Sequence, residues 1–135
     1  MLRDAQQVVQ TAIYTALTTN IWFVANNISV FDMVPKQTTV AFVTIGDMTT
    51  VDNSTVGVGG QVITLTIHSW DQSESRARLK TMMAQVIASL HDQTLSLSDP
   101  TFTWVNSRFQ SSQVLKDPDG YTVHGVQKFR IVVES

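Results

Sequence analysis

Two long segments, Thr101–Lys116 and Tyr121–Glu134, are joined by Asp117-Pro118-Asp119-Gly120, and this pairing constrains the fold more than any other part of the sequence. Proline presets φ at the second position of a turn and glycine accepts the positive φ that closes it, so the tetrapeptide predicts a hairpin. In the segment after the turn, Tyr121, Val123, Gly125, Gln127, Phe129, Ile131 and Val133 fall on one face of a strand. Thr122, His124, Val126, Lys128, Arg130, Val132 and Glu134 fall on the other. Neither half of the hairpin carries an evident catalytic group.

Upstream, Asp4 is placed to cap a helix over Ala5–Leu17, where Val9, Ala12, Ile13, Ala16 and Leu17 make one apolar stripe. Ile21–Asn27 reads as an irregular connection anchored by Trp22 and Phe23. A short strand over Ile28–Val34 stops at Pro35, which lacks the N–H that a ladder needs. Thr39–Gly46 reads as a strand buried on both faces, and Gln61–Trp70 as one that alternates, with Ile63, Leu65 and Ile67 toward a helix layer. Between these two, residues 47–60 read as a long loop, and loops of that length tend to be functional or disordered. A second helix follows, with Asp71, Ser73 and Glu74 as capping candidates. Its apolar stripe is Leu79, Met82, Met83, Val86, Ile87 and Leu90, with His91 at the negative end of the helix dipole. Thr94–Ser98 reads as a short strand before the hairpin.

Grouped helices and strands without βαβ alternation predict an α+β domain spanning residues 1–135. Its expected element order is αβββα(β)ββ: a mostly antiparallel sheet with two helices packed on one face and the long hairpin last.

Composition narrows function mainly by exclusion. Only 15% of residues are charged and the formal net charge is −2, which argues against a protein built to neutralise nucleic-acid phosphates. A surface rich in Thr, Ser, Gln and Asn is cheap to desolvate on association. There is no cysteine, so disulfides, thiolate nucleophiles and sulfur-bound zinc are out of reach. The N-terminus lacks the apolar core of a signal peptide, and the most apolar cluster, Ile21–Ala25, is far too short to span a bilayer; a soluble, unexported protein with no membrane partner is expected.

Candidate chemistry is sparse. The three histidines, His68, His91 and His124, match no ligand spacing, so ordinary cross-strand contacts are expected and no metal. Gly57-Val58-Gly59-Gly60 precedes a strand rather than opening a helix, the wrong context for a phosphate cradle. Asp117 and Asp119 lack the remaining ligands of a calcium loop. No Gly-x-Ser-x-Gly or His-Glu-x-x-His occurs, so neither an enzyme nor a cofactor is expected, a small hydrolase being the weakest reading. One rival survives: Trp70, Trp104, Phe109, Tyr121 and Phe129 with Arg108, Lys128 and Arg130 could form an aromatic-basic face of a nucleic-acid-binding module.

The order of segments resembles the small phage tail-completion proteins, also called tail terminators or head-to-tail joining proteins. The matching features are the helix Ala5–Leu17, the strand Val30–Pro35, Val43–Asp47, Ile63–Trp70 and the helix ending Ser89-Leu90-His91. Most specific is Val114–Glu134, with Asp119-Gly120, His124-Gly125 and Phe129-Arg130. The resemblance spans nearly the whole chain; Ile21–Asn27 is more aromatic than the pattern leads one to expect. It implies a structural virion protein, assembled in the host cytoplasm, that caps the tail tube and joins it to the head. Its expected partners are further copies in a homo-hexameric ring, the tail tube protein, and a head-completion or connector protein. DNA would pass through the lumen without sequence-specific binding. The segment expected to order against the tube or a neighbouring subunit comprises Asp47, Thr49, Thr50, Asp52, Asn53, Val56, Gly57, Gly59 and Gly60, while Asp117, Pro118, Asp119 and Gly120 are assigned the structural turn.

Overall fold

The computed structural model describes residues 3–35, 41–72 and 76–135. The chain runs α1 (Gln6–Thr18), α2 (Ile21–Ala25), β1 (Ser29–Phe31), β2 (Phe42–Asp52), β3 (Gly60–Gln72), α3 (Ala77–Leu90), β4 (Thr103–Lys116) and β5 (Thr122–Glu134). The strands form one five-stranded sheet in the order β1-β2-β3-β5-β4. Only the β1–β2 pair is parallel; the other three pairings are antiparallel. The α+β class, the mostly antiparallel sheet and the closing hairpin are as the sequence predicts.

The helices share one face of the sheet. Val9, Ala12, Ile13 and Leu17 of α1, and Leu79, Met82, Met83, Val86 and Leu90 of α3, are buried, as the periodic stripes require. Opposite them lie Ile63, Leu65 and Ile67 of β3 and Phe129, Ile131 and Val133 of β5, all within 3% of full burial. At about 25 cal/mol per Å2 of apolar area, this interior is the main stabilising contribution. The face of β5 that begins at Val123 is therefore the core face. Two of its members tie α3 directly to the sheet: buried Gln127 donates from Nε2 to the Met83 carbonyl at 3.0 Å, and Gly125 leaves room for the Met83 thioether.

Several readings need correction. Residues 21–25 form a helix, a third one, whose N-cap Asn20 accepts from the Phe23 N–H at 3.1 Å while its Nδ2 donates to Gln85 and Ser89 of α3. Residues 94–98 form no strand: Leu95 and Leu97 turn toward the core beside α1, so their alternation records one-sided burial without a ladder partner. At the start of α1, Asp4 stands one residue outside the N-cap position held by Ala5, and it accepts from the Gln6 N–H at 3.1 Å. Of residues 47–60, half belong to strands and only 53–59 form a loop. β2 continues to Asp52 and β3 begins at Gly60, with a bulge between Ile45 and Met48. The capping candidates Ser73 and Glu74, and the start of the expected strand at Thr39, lie outside the described residues. The third candidate, Asp71, does not cap α3: it is buried within β3 and accepts from Arg78 Nε at 3.1 Å, while the N-cap position is held by Arg76 without a side-chain cap bond.

The C-terminal hairpin turns through Asp117–Gly120, where the Gly120 N–H donates to the Asp117 carbonyl at 3.0 Å and Gly120 adopts φ +85°. Asp119 stiffens the exit: Oδ1 accepts from the Tyr121 and Thr122 N–H groups, and Oδ2 from the Thr122 hydroxyl. These bonds, the Thr122 hydroxyl first, hold its carboxyl below the usual carboxylate range.

Candidate assembly surface

Because both principal helices cover one face, the other face of the sheet carries no helix among the described residues. Register fixes what it presents. Phe42 stands opposite Trp70, Trp70 opposite His124, and His124 opposite Leu115, so these four side chains form one row across β2, β3, β5 and β4. The rings make continuous contact along it. Trp70 stacks on His124 at 3.6 Å between centroids, Phe42 lies 6.3 Å from Trp70, and Phe31 of β1 meets Phe42 edge-on at 5.8 Å. His68 joins from the neighbouring row, its Nδ1 2.7 Å from Nε2 of His124, so one imidazole donates and the other accepts. Burial pushes both histidines below their usual pKa; the charge of His68 adds to this at His124, while Asp47 opposes it at His68 and Asp117 at His124. The expected cross-strand contact of these two histidines is thus present. His91 is remote from them, accepting at Nδ1 from the Phe109 N–H. Among the described residues no group of three side chains converges on a metal site.

At the β1 end of the row a groove of about 560 Å3 opens between Asp32, Met33, Val34, Phe42, Asp47 and Trp70. Met33 is 84% exposed. Neither Asp32 nor Asp47 takes part in a salt bridge among the described residues. At the other end β4 is an edge strand. Its outer side is occupied near Ser107 and Phe109, where the Asp92 N–H donates to the Ser107 carbonyl and His91 receives the Phe109 N–H. From Gln110 to Gln113 the strand is exposed and polar, and Leu115 and Lys116 are exposed beyond it.

The two hairpin tips leave the sheet at opposite ends. Gly60 pairs with Glu134 and Gln72 with Thr122, which places the β2–β3 tip (residues 53–59) far from the β4–β5 turn. The β2–β3 tip is internally bonded. Asp52 Oδ1 accepts from the Ser54 N–H and hydroxyl, an arrangement that holds its carboxyl below the usual range, and Thr55 bridges to Val58. Val56 is fully exposed at its apex beside Gly57.

The residues singled out between 47 and 60 therefore divide. Asp47 sits on the bulge and Thr49 further along β2, both exposed. Thr50 faces α1, donating to Asp4 and accepting from Gln6, so it is spent within the subunit. Asp52 and Asn53 shape the tip, Gly59 accepts from the Ser135 N–H, and Gly60 is buried at the start of β3. The aromatic-basic face does not exist as read. Trp104 and Phe129 are buried and Phe109 packs against the core, whereas Lys128, on the same side as Trp70, is exposed on the open face. Arg108 is held by Asp92 at 3.1 Å. Three of the five rings meant for base stacking, Trp104, Phe109 and Phe129, lie on the side away from Lys128. The row of rings was missed because His124, Trp70 and Phe42 are far apart in sequence; only the strand register assembles them.

Comparison with known proteins agrees with this architecture. The family described as tail completion protein gp17 matches residues 11–134. Tail completion protein gp17 of Bacillus phage SPP1 is 30% identical over 94 residues, covering 70% of this chain and 68% of that protein. The solved structure of bacteriophage SPP1 gp17 superposes with a TM-score of 0.63 at 26% identity, over 94% of this chain and 89% of that one. A chain in the virion of a native gene transfer agent particle has the same fold, with a TM-score of 0.88 at 21% identity, over 99% of this chain and all of that one. A match running from within α1 to the end of β5 places the chain in the tail completion protein gp17 family.

Proposed function

We propose that this protein is a structural, non-catalytic component of the virion that caps the phage tail tube and joins it to the head. Copies close into a ring, six in number by the resemblance, around the channel through which DNA leaves. Assembly takes place in the host cytoplasm. The observation that carries this reading is the disposition of the sheet: two hairpin tips project from its opposite ends, and the two sheet edges lie between them. A subunit that joins two structures needs contacts at two ends, and a ring needs heterologous contacts at two sides. The β2–β3 tip, with Asn53, Val56 and Gly57 at its apex and Asp47 and Thr49 along β2, is assigned to the tube or a neighbouring subunit. The opposite end faces the head-completion or connector protein. With a net charge of −2, the subunit supplies little cation to retain DNA in transit.

Static light scattering across protein concentration, with and without tail tubes, tests this reading. A ring-sized mass that binds tube ends is expected, and Val56→Asp should weaken tube binding without lowering thermal stability. A protein that stays monomeric at every concentration and never associates with tubes would overturn it.

A further inference from the structure

We propose that copies of this chain join by extending the sheet: residues 112–116 of β4 pair antiparallel with residues 48–52 of β2 in the next copy. This deepens the ring reading and rests on it. Each of these two strands is covered on its outer side for only part of its length. β1 pairs with β2 at Phe42, Val43 and Thr44 and no further, and beyond them the β2 backbone bonds only to β3 among the described residues. On β4, Asp92 and His91 engage Ser107 and Phe109; among the described residues, the backbone of 110–116 bonds only to β5. Each free stretch starts at a bulge, between Ile45 and Met48 on β2 and between Phe109 and Ser111 on β4. Neither residues 48–51 nor residues 110–115 contain a charge or a proline, the residues that bar an edge strand from pairing.

Backbone and side chains select the same register. The Asn53 N–H donates to the Gly60 carbonyl, and the Asp117 N–H to the Thr122 carbonyl. Bonding direction alternates along a strand, so Met48, Thr50 and Asp52 of β2 turn their amide groups outward, as do Ser112, Val114 and Lys116 of β4. Thr50 stands opposite Ile63 and Val114 opposite Gly125, so both sets carry their side chains on the helix side. Setting Ser112, Val114 and Lys116 opposite Asp52, Thr50 and Met48 joins outward amides to outward amides and keeps the helices of both copies on one side. Leu115 then meets Thr49, and Gln113 meets Val51, on the other face. The paired stretches hold one acid, Asp52, and one base, Lys116, while Asp47 and Asp117 fall just past one end. Main-chain hydrogen bonds supply the attraction and the side chains fix the register.

The offset between the two stretches suits closure. Within one subunit Leu115 is level with Phe42, through His124 and Trp70. Across the contact it is level with Thr49. Leaving out the bulged residue, that shifts each copy by six residues, about 20 Å along the strands. Crossing the four strands β2, β3, β5 and β4 covers about 19 Å, so the strands lean about 45° from the ring axis, the tilt at which sheets close into barrels. Six copies give about 24 strands, beyond the roughly 16–18 at which a barrel holds an aqueous channel. The contact joins two different edges, so it is heterologous and repeats until the ring closes.

The absence of cysteine makes a direct test clean. Thr49→Cys and Leu115→Cys, both at exposed positions, are made singly and together, and circular dichroism melting checks that each folds. Facing residues of a non-hydrogen-bonded pair stand close enough for a disulfide. Rings assembled on tail tubes are oxidised. The double variant is expected to give a ladder of disulfide-linked oligomers ending at the closed ring. An equal mixture of the two single variants should give dimers, and either single variant alone none. Ser112→Pro removes an outward N–H and leaves the bonds to β5 in place, so the subunit should fold and fail to form rings. Intact rings without a disulfide at this pair overturn the inference and leave the ring reading standing, as do undiminished rings of folded Ser112→Pro. Disulfides within either single variant alone also overturn it, since they signal a two-fold contact. If no ring forms on tubes at all, the ring reading fails and the inference with it.

Discussion

Replacing Gly125 by alanine should destabilise the protein, and the same replacement should stabilise it once Met83 is truncated. Gly125 lies on the core face of β5 beneath α3. A Cβ built there would sit 2.5 Å from the Met83 sulfur, 3.0 Å from its Cγ and 3.1 Å from its Cε. Ordinary non-bonded separations are about 3.5–4 Å, so the thioether must retreat by about 1 Å. It has little space for this, being 6% exposed among Leu79, Val123 and Val114. Overpacking of this kind costs about 1–3 kcal/mol. Alanine also returns about 0.5–1 kcal/mol, because glycine loses more backbone entropy within a strand. The net expectation for Gly125→Ala is a loss of up to about 2.5 kcal/mol. Met83→Ala alone should cost about 2–5 kcal/mol by opening a cavity. In that background the clash is gone and the new methyl fills part of the void, so Gly125→Ala should gain about 0.5–1 kcal/mol. Urea unfolding of the four proteins, with m unchanged, measures the cycle. Additivity within about 0.5 kcal/mol would refute the contact, since residues that touch couple by more than that.

Stability should also respond to pH in a defined window. His68 and His124 have folded pKa values below the usual 6.5, so between those values and 6.5 the unfolded chain binds more protons and stability falls on acidification. Thermal melts should be level above about pH 7 and decline below 6.5, and His124→Gln should flatten the decline; Asp52, Asp99 and Asp119, depressed below 3.8, add a separate loss only under stronger acid. At the hairpin turn, Gly120→Ala places a side chain at φ +85° and should cost about 1–2 kcal/mol, read by urea unfolding, while Pro118→Ala should cost less.

What the sequence made legible was whatever kept strict periodicity. The stripe of α3 and the alternation of β3 and β5 are unbroken, and their buried faces follow directly. β2 lost its second half to one bulge. The extra residue between Ile45 and Met48 leaves both side chains on the helix side at a spacing of three, which erases the period of two and makes Asp47–Asp52 look like loop. β4 carries two such irregularities, at Trp104/Asn106 and Phe109/Ser111. The short helix α2 is too brief for a stripe, and only its cap, Asn20, could have announced it. The row of rings was not legible for a different reason. It joins residues of four strands, and no local spacing encodes which strand lies beside which.

An open sheet face and an edge strand of fourteen residues pose a problem for a free subunit, because unpaired strand edges invite indiscriminate pairing. Here the edge is guarded in two ways. His91 and Asp92 occupy its backbone groups near Ser107 and Phe109, and the stretch beyond, Gln110–Gln113, is wholly polar. The apolar Leu115 stands only where the strand ends. In the ring proposed here, an edge guarded in this way leaves specificity to side chains, since its polar stretch discriminates little between partners. Weak contacts of this kind multiply when subunits are held side by side on a common template, since each closure becomes effectively intramolecular. The tube end is that template in the function proposed here.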